Sequence, residues 1–223
     1  MGYGITILIE GKRACFTRPE MKAERVSYDV ITPSAARGII EAVYWKPAIK
    51  WRIDSIRVLN EVRFDTFRRN ELGSKLSYRE AKAACERGED AYIIASDKRQ
   101  QRATTYLRDV AYEVVAHFDL TDNAGEDDTV EKHYNIALRR FRKGQHFAQP
   151  VLGCREFPAK VTLLENNREA PESFYQNVDE KDLGYVLYDL DYSDPSSPEP
   201  LFYRAVMRNG VIDVAAAASE VVS

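Results

Sequence analysis

Cysteine and histidine are scarce in this 223-residue sequence, with three of each. Cys15, Cys85 and Cys154 lie far apart and form no C-x-x-C pair, which excludes a disulfide framework or a zinc knuckle and fits a reducing compartment. The histidines stand at positions 117, 133 and 146, so a histidine-based metal site would need carboxylates brought in by the fold. There is no G-x-x-x-x-G-K-S/T loop to cradle nucleotide phosphates, no G-x-S-x-G elbow and no H-E-x-x-H pair. No apolar run approaches the length of a membrane span, and the opening Met1-Gly-Tyr-Gly-Ile lacks the basic-then-apolar pattern of a signal peptide. The expectation is a soluble cytoplasmic protein with no membrane partner.

What is present is a globular composition: 44% apolar and 11% aromatic residues can bury a sizeable core. The net charge of −3 argues against a protein that coats nucleic acid. Acid gathers at residues 125–128 and 189–199, base at 68–69, 98–102 and 139–143. A local basic patch on an acidic chain suits a site-specific nucleic-acid binder, because affinity follows local phosphate contacts. Solvated faces and helix ends would produce the same runs.

Hydrophobic periodicity predicts an α+β fold. Residues 3–10 alternate through Tyr3, Ile5, Ile7 and Ile9 as a strand. Thr32-Pro33 reads as the cap and first position of a helix over residues 34–45, with Ala36, Ile39, Ile40 and Val43 inward and Pro47 beyond its end. A second strand is expected over 56–64, then an insertion over 70–102 holding a short helix at 78–86. The third strand spans 105–120, one face carrying Tyr106, Val110, Tyr112, Val114, Ala116, Phe118 and Leu120. Asp128 is expected to cap a second helix with Glu131 completing a capping box, and Gly144 to terminate it. A strand at 156–164 completes the order β-α-β-β-α-β, that of the ferredoxin-like (RRM-like) fold. The predicted division is residues 1–165, then 166–223. In the second part, 166–179 is irregular and strands at 184–191, 201–208 and 211–214 form a small antiparallel sheet. Asn209-Gly210 joins the last two as a hairpin turn.

Lys132-His133-Tyr134 falls in the first two turns of the second helix, where backbone N–H groups favour a phosphate. Histidine suits proton transfer near neutral pH, and the adjacent lysine supplies fixed charge for an oxyanion. His133 also continues the stripe Val130, Tyr134, Ala137 and Phe141, so a packed helix residue is the competing reading. Arg139, Arg140, Arg142 and Lys143, followed by His146, form either a phosphate-gripping surface or partners of the helix dipole. Tyr44 is placed on one helical face with Arg37 and Glu41, with Lys46 just beyond. Asp109, Glu113 and His117 recur every four residues on one strand face, where plain projection from that face is the ordinary reading and a metal site the alternative. The aromatic signature of the RNA recognition motif is missing, so base stacking on the sheet is not expected.

Tyr44-Trp45-Lys46-Pro47, Lys132-His133-Tyr134 and Leu152-Gly-Cys-Arg-Glu-Phe157, in that order and spacing, resemble the signature blocks of the CRISPR-associated Cas-five proteins of the d subtype. These belong to the RAMP superfamily and occur in type I-C systems. The resemblance spans roughly residues 26 to 206 and implies a ferredoxin-like domain followed by a small β-sheet. It also implies an endoribonuclease that cuts the repeat hairpin of CRISPR precursor RNA. The family protein stays among the other subunits of the interference complex, which engages target DNA. Tyr44, Lys132 and His133 fall on the family's catalytic set. The implied reaction is attack by the RNA's own 2′-hydroxyl, leaving a 2′,3′-cyclic phosphate and a 5′-hydroxyl, with no metal and no cofactor. The RNA-contacting residues expected are Arg37, Lys46, Arg139, Arg140, Arg142, Lys143 and His146. Two alternatives stay open: a non-catalytic subunit that holds the guide RNA, and a metal-dependent DNA nuclease built on Asp109, Glu113 and His117. The insertion at 70–102 is longer than the family pattern.

Overall fold

The period of two in the first strand is realised in the computed structural model. In β1 (Gly4–Ala14), Ile5, Ile7 and Ile9 are buried while Thr6 and Leu8 are half-buried. The structure describes residues 3–21, 23–165 and 170–223. After β1 come β2 (Arg25–Val26), α1 (Pro33–Val43), β3 (Ile49–Val58), β4 (Phe64–Leu72), α2 (Tyr78–Arg87) and β5 (Arg99–Leu120). Then follow α3 (Val130–Arg142), β6 (Lys160–Leu163), β7 (Lys181–Asp191), β8 (Glu199–Arg208), β9 (Val211–Asp213) and α4 (Val214–Ala217). One mostly antiparallel sheet runs β6-β1-β5-β3-β9-β8-β7, with β4 and β2 also paired to β5.

The two long helices form for the reasons the sequence offers, with two corrections. Thr32 Oγ1 accepts the Ala35 N–H at 3.1 Å and Pro33 occupies the first turn, where its missing donor costs nothing. The helix stops at Val43, two residues before the expected end, because Tyr44 turns extended at φ −150°, ψ 116°. In α3 the cap is Thr129, which accepts the Lys132 N–H at 3.2 Å; the expected cap, Asp128, stands one residue outside with its carboxylate engaged elsewhere. Gly144 at φ +61° lets the chain leave the helix, and Gln145 N–H bonds Arg140 O at 2.9 Å. Ala36, Ile39, Ile40 and Val43 of α1 and Ala137 and Phe141 of α3 enter one core with Trp51, Ile56, Val114 and Phe118. The helices touch each other, so both cover the same face of the sheet.

The expected strand at 56–64 and insertion at 70–102 are both corrected by β5. That strand is 22 residues long. Its second half lies between β1 and β3; its first half pairs along all of β4, Phe64↔Leu107 to Leu72↔Arg99. β3 and β4 are therefore two stretches alongside one partner, interrupted at residues 59–63. Opposite that break Asp109 adopts φ +49° and its carbonyl accepts Asn60 Nδ2 at 2.6 Å. Residues 70–72 and 99–102 belong to this arm, and only 73–98, with the capping-boxed α2, lie outside the sheet. Leu120, assigned to the buried face, is 39% exposed at the strand's end.

The last expected strand of the first region is also shorter. Residues 151–158 form a turn in which Leu152 N–H bonds Phe157 O at 2.8 Å, leaving β6 to begin at Lys160. Gly153 is required there: at φ +84°, a Cβ would meet the Cys15 carbonyl oxygen at 2.0 Å. The turn seats Phe157 against Tyr106 and Phe67, so the third signature block braces β1 against the arm. Farther on, Asn209 and Gly210 both have positive φ and close β8 onto β9, as the two-residue turn predicts. β9 pairs with β3, which carries the last three strands into the same sheet, and Val214 opens α4. Of the segment read as irregular, 166–169 lies outside the described residues, and 170–179 is turns and coil.

Candidate active site

Tyr44 is positioned by the chain leaving α1. Its N–H still bonds Ile40 O at 2.9 Å, and its carbonyl accepts Trp51 Nε1 at 2.8 Å. The Arg140 guanidinium lies 5.3 Å from its ring centroid and donates to Val43 O at 2.9 Å. The phenol is thus held from three sides, and only 1% of the residue is exposed. Its hydroxyl meets His133 Nδ1 at 2.7 Å.

His133 points inward from α3, 2% exposed, with the Phe118 ring of β5 edge-on at 6.3 Å. The packed-residue reading holds, since His133 belongs to the buried stripe, and its ring nitrogens also have polar partners. Its Nε2 lies 3.1 Å from Asp128 Oδ1. Asp128 also accepts the Gly125 N–H at 3.1 Å and faces the Lys132 ammonium at 3.4 Å. The Gly125 N–H first, and Lys132 next, hold the Asp128 carboxyl below its ordinary range. Burial pushes the Tyr44 phenol up.

An ionised Asp128 can only accept, so a neutral His133 ring facing it carries its hydrogen on Nε2 and leaves Nδ1 to accept from Tyr44. In that tautomer the three form a directed chain, Tyr44 to His133 to Asp128. Lys132, whose side chain is 46% exposed, bonds Asp127 O at 3.0 Å and stands over this chain at the surface.

Lys46, Arg139, Lys143 and His146 are exposed. Arg142 bonds Glu165 at 3.0 Å. Arg140 faces Tyr44, as a brace for the phenol. Arg37 does not join the group; it pairs with Asp189 of β7 and with Glu41, tying α1 to the sheet's far end. Asp128 went unrecognised in the sequence because Asp-Thr offers two capping residues in a row, and spacing does not say which side chain caps. Arg140, expected among the RNA-contacting residues, lies instead against the Tyr44 ring, a contact that sequence spacing does not show.

The metal-ligating candidates separate. Glu113 pairs with Arg57, His117 Nδ1 bonds Asp54 at 2.7 Å, and Asp109 sits at the left-handed break in the strand. Among the described residues no group of three or more His, Cys, Asp or Glu could hold a metal ion. No described helix is long and apolar enough to cross a membrane.

The family model described as CRISPR-associated protein, Cas5d, matches residues 4–215. The chain belongs to the Cas5d family. It is 50% identical over 217 residues to a "CRISPR pre-crRNA endoribonuclease Cas5d" of Mannheimia succiniciproducens, covering 96% of each protein. A Thermus thermophilus protein of the same name is 36% identical over 229 residues, covering 95% of this chain and 91% of the relative. Among solved structures, a CRISPR-associated protein and a functionally uncharacterized protein of Streptococcus mutans both superpose at TM-score 0.69 with 27% identity. The first covers 95% of this chain and 91% of the solved one, the second 97% and 96%. A chain from a CRISPR RNA-guided surveillance complex, at TM-score 0.51 and 16% identity over 91% of this chain and 88% of its own, shares the fold. The Cas5d match contains all three signature blocks, and two of the three meet in the Tyr44–His133 hydrogen bond.

Proposed function

We propose that this chain is a metal-independent endoribonuclease that cuts CRISPR precursor RNA at its repeat hairpin and remains in a cytoplasmic type I-C interference complex. The names of its Cas5d relatives support the substrate. The observation that carries the chemistry is the directed chain from the Tyr44 hydroxyl through His133 to Asp128, with Lys132 above it. The antiparallel order β6-β1-β5-β3 under α1 and α3 supports a ferredoxin-like domain over residues 1–165, followed by the 166–223 region.

In this mechanism the 2′-hydroxyl next to the scissile phosphate gives its proton to the Tyr44 oxygen as Tyr44 hands its own to His133 Nδ1. The 2′-oxygen forms a bond to phosphorus, the bond from phosphorus to the 5′-oxygen breaks, and the imidazolium returns its Nδ1 proton to Tyr44 as the Tyr44 hydroxyl gives its own to the 5′-oxygen. Lys132 stabilises the charge on the non-bridging oxygens. The exposed Lys46, Arg139, Lys143 and His146 hold the flanking backbone.

The burial of Tyr44 and His133 favours a second reading, a subunit that holds guide RNA without cutting it. One experiment separates them: repeat RNA with a single 2′-deoxy substitution before the scissile phosphate, incubated with and without EDTA. Unmodified RNA is cut in both conditions to a cyclic phosphate, and the deoxy substrate binds but stays intact. Cutting of the deoxy RNA, or arrest by EDTA, overturns the mechanism; intact unmodified RNA supports the second reading.

A further inference from the structure

The carboxylate behind His133 has a part of its own. Asp128 belongs to none of the signature blocks, and its helix-capping place is taken by Thr129. Its two oxygens divide their work: Oδ2 accepts the Gly125 N–H, while Oδ1 faces His133 Nε2 and the Lys132 ammonium. Gly125 thereby anchors the side chain from the loop, and Oδ1 is left aimed at both neighbours. Its side chain is 26% exposed against 3% for His133, so it closes the outer end of a buried ring.

We propose that Asp128 is a positioning residue that holds His133 in the Nε2–H tautomer, keeps Nδ1 bare for the Tyr44 proton, and stabilises the imidazolium formed in the reaction. A neutral imidazole with its hydrogen on Nδ1 could not accept from Tyr44 at all, and the relay would stop at its first step. An anion at Nε2 penalises that tautomer and favours the ring's cation, as the buried aspartate of a serine-protease triad does. The same oxygen draws the Lys132 ammonium to one side of the ring, which sets where the phosphate oxygens are received. The charged and titratable groups around His133 are Asp128 and Lys132 from the start of α3 and Tyr44 from the end of α1. Arg139 and Arg140 act on Tyr44 from the later turns of α3, and β5 packs the Phe118 ring against the imidazole. The inference rests on His133 as the proton-transfer group of the proposed reaction.

The substitution Asp128→Asn tests it. Asparagine retains an oxygen for Gly125 and presents an NH₂ to Nε2, where it faces a hydrogen unless the imidazole changes tautomer. Single-turnover cutting of repeat RNA by Asp128→Asn, Asp128→Glu and His133→Ala, measured across pH 5 to 9, is paired with nitrogen-15 NMR of the histidines, His133→Ala identifying the resonance. Asp128→Asn should slow cutting by roughly 10- to 100-fold, less than the loss of a fully buried triad aspartate because Asp128 is partly solvated. The acidic limb of its rate profile should move to lower pH, since the imidazolium loses its anion, and the Nε2–H tautomer should no longer dominate. Asp128→Glu should recover part of the rate and the wild-type limb. An Asp128→Asn protein with wild-type rate, limb and tautomer overturns the inference alone. A His133→Ala protein that still cuts overturns the underlying reading instead.

Discussion

His117 and His133 each bond an aspartate, yet of the two only His133 is enclosed by the fold and meets a phenol on its other nitrogen. His117 Nδ1 meets Asp54 at 2.7 Å, and His133 Nε2 meets Asp128 at 3.1 Å. The shorter bond belongs to a side chain 39% exposed on the open sheet, whose other nitrogen faces a second carboxylate, Asp119, at 3.9 Å. The longer one belongs to a side chain 3% exposed, whose other nitrogen meets a phenol at 2.7 Å. Water screens the first pair and competes for each of its bonds. In the second, both ring nitrogens have partners away from water, which in the proposed mechanism sets the proton's route before a substrate arrives. Enclosure and a donor on the opposite nitrogen distinguish the two sites; the length of the carboxylate bond does not.

The largest test of that contrast is the pair of alanine variants. His133→Ala should lose roughly 10²–10⁴ in cutting rate, the usual worth of a positioned acid or base, while His117→Ala stays within about twofold. Single-turnover assays on repeat RNA decide it; a dead His117→Ala would move the chemistry to β5. Next in size, Lys132→Ala should cost a comparable or smaller oxyanion contribution with hairpin affinity retained. Tyr44→Phe should be as severe as His133→Ala if the phenol carries the proton; a milder effect would reduce Tyr44 to orienting the hydroxyl. Since burial holds Tyr44 protonated above the ordinary phenol range, the alkaline fall in wild-type rate caused by its ionisation should come later than for a free tyrosine. The smallest effect lies outside the ring. Arg139→Ala should lower the salt dependence of hairpin binding by about one unit of slope per lost phosphate contact, and Arg142→Ala by less, because Glu165 already neutralises it. Equal slopes would make both ordinary partners of the helix dipole.

The helices and the inward facing of His133 were readable from sequence because local rules govern them, whereas Tyr44 entered through the family resemblance. Thr32-Pro33 and Gly144 mark helix ends whatever the tertiary context, and the stripe through His133 sets which way it faces. Residues 99–104 of β5 could not be read so: Arg-Gln-Gln-Arg-Ala-Thr has no apolar alternation, and its strand is imposed by pairing with β4. The break at 59–63 was hidden because Val62 and Phe64 keep the period of Ile56 and Val58 across it. Tyr44 looked like the next residue on a helical face; its extended backbone, which aims the phenol at α3, is a property of the exit from α1 and of Trp51. Arg37, similar in composition to the arginines of α3, was separated from them only by Asp189, more than 150 positions away in the chain.

The length of β5 also has a consequence for the chain's birth on the ribosome. Gly4 finds its partner at His117 and Ile7 at Val114, so the apolar start of β1 has no β5 neighbour until more than half of the polypeptide has been made. At about 5–20 residues per second, that leaves Ile5, Ile7 and Ile9 on an unpaired strand for several seconds or more. Such a strand is a template for pairing with another nascent chain. When β5 emerges, it supplies partners to β1, β3 and the arm almost at once, so folding is delayed and then concerted. Slowing translation upstream of residue 117 should therefore raise aggregation more than slowing it downstream.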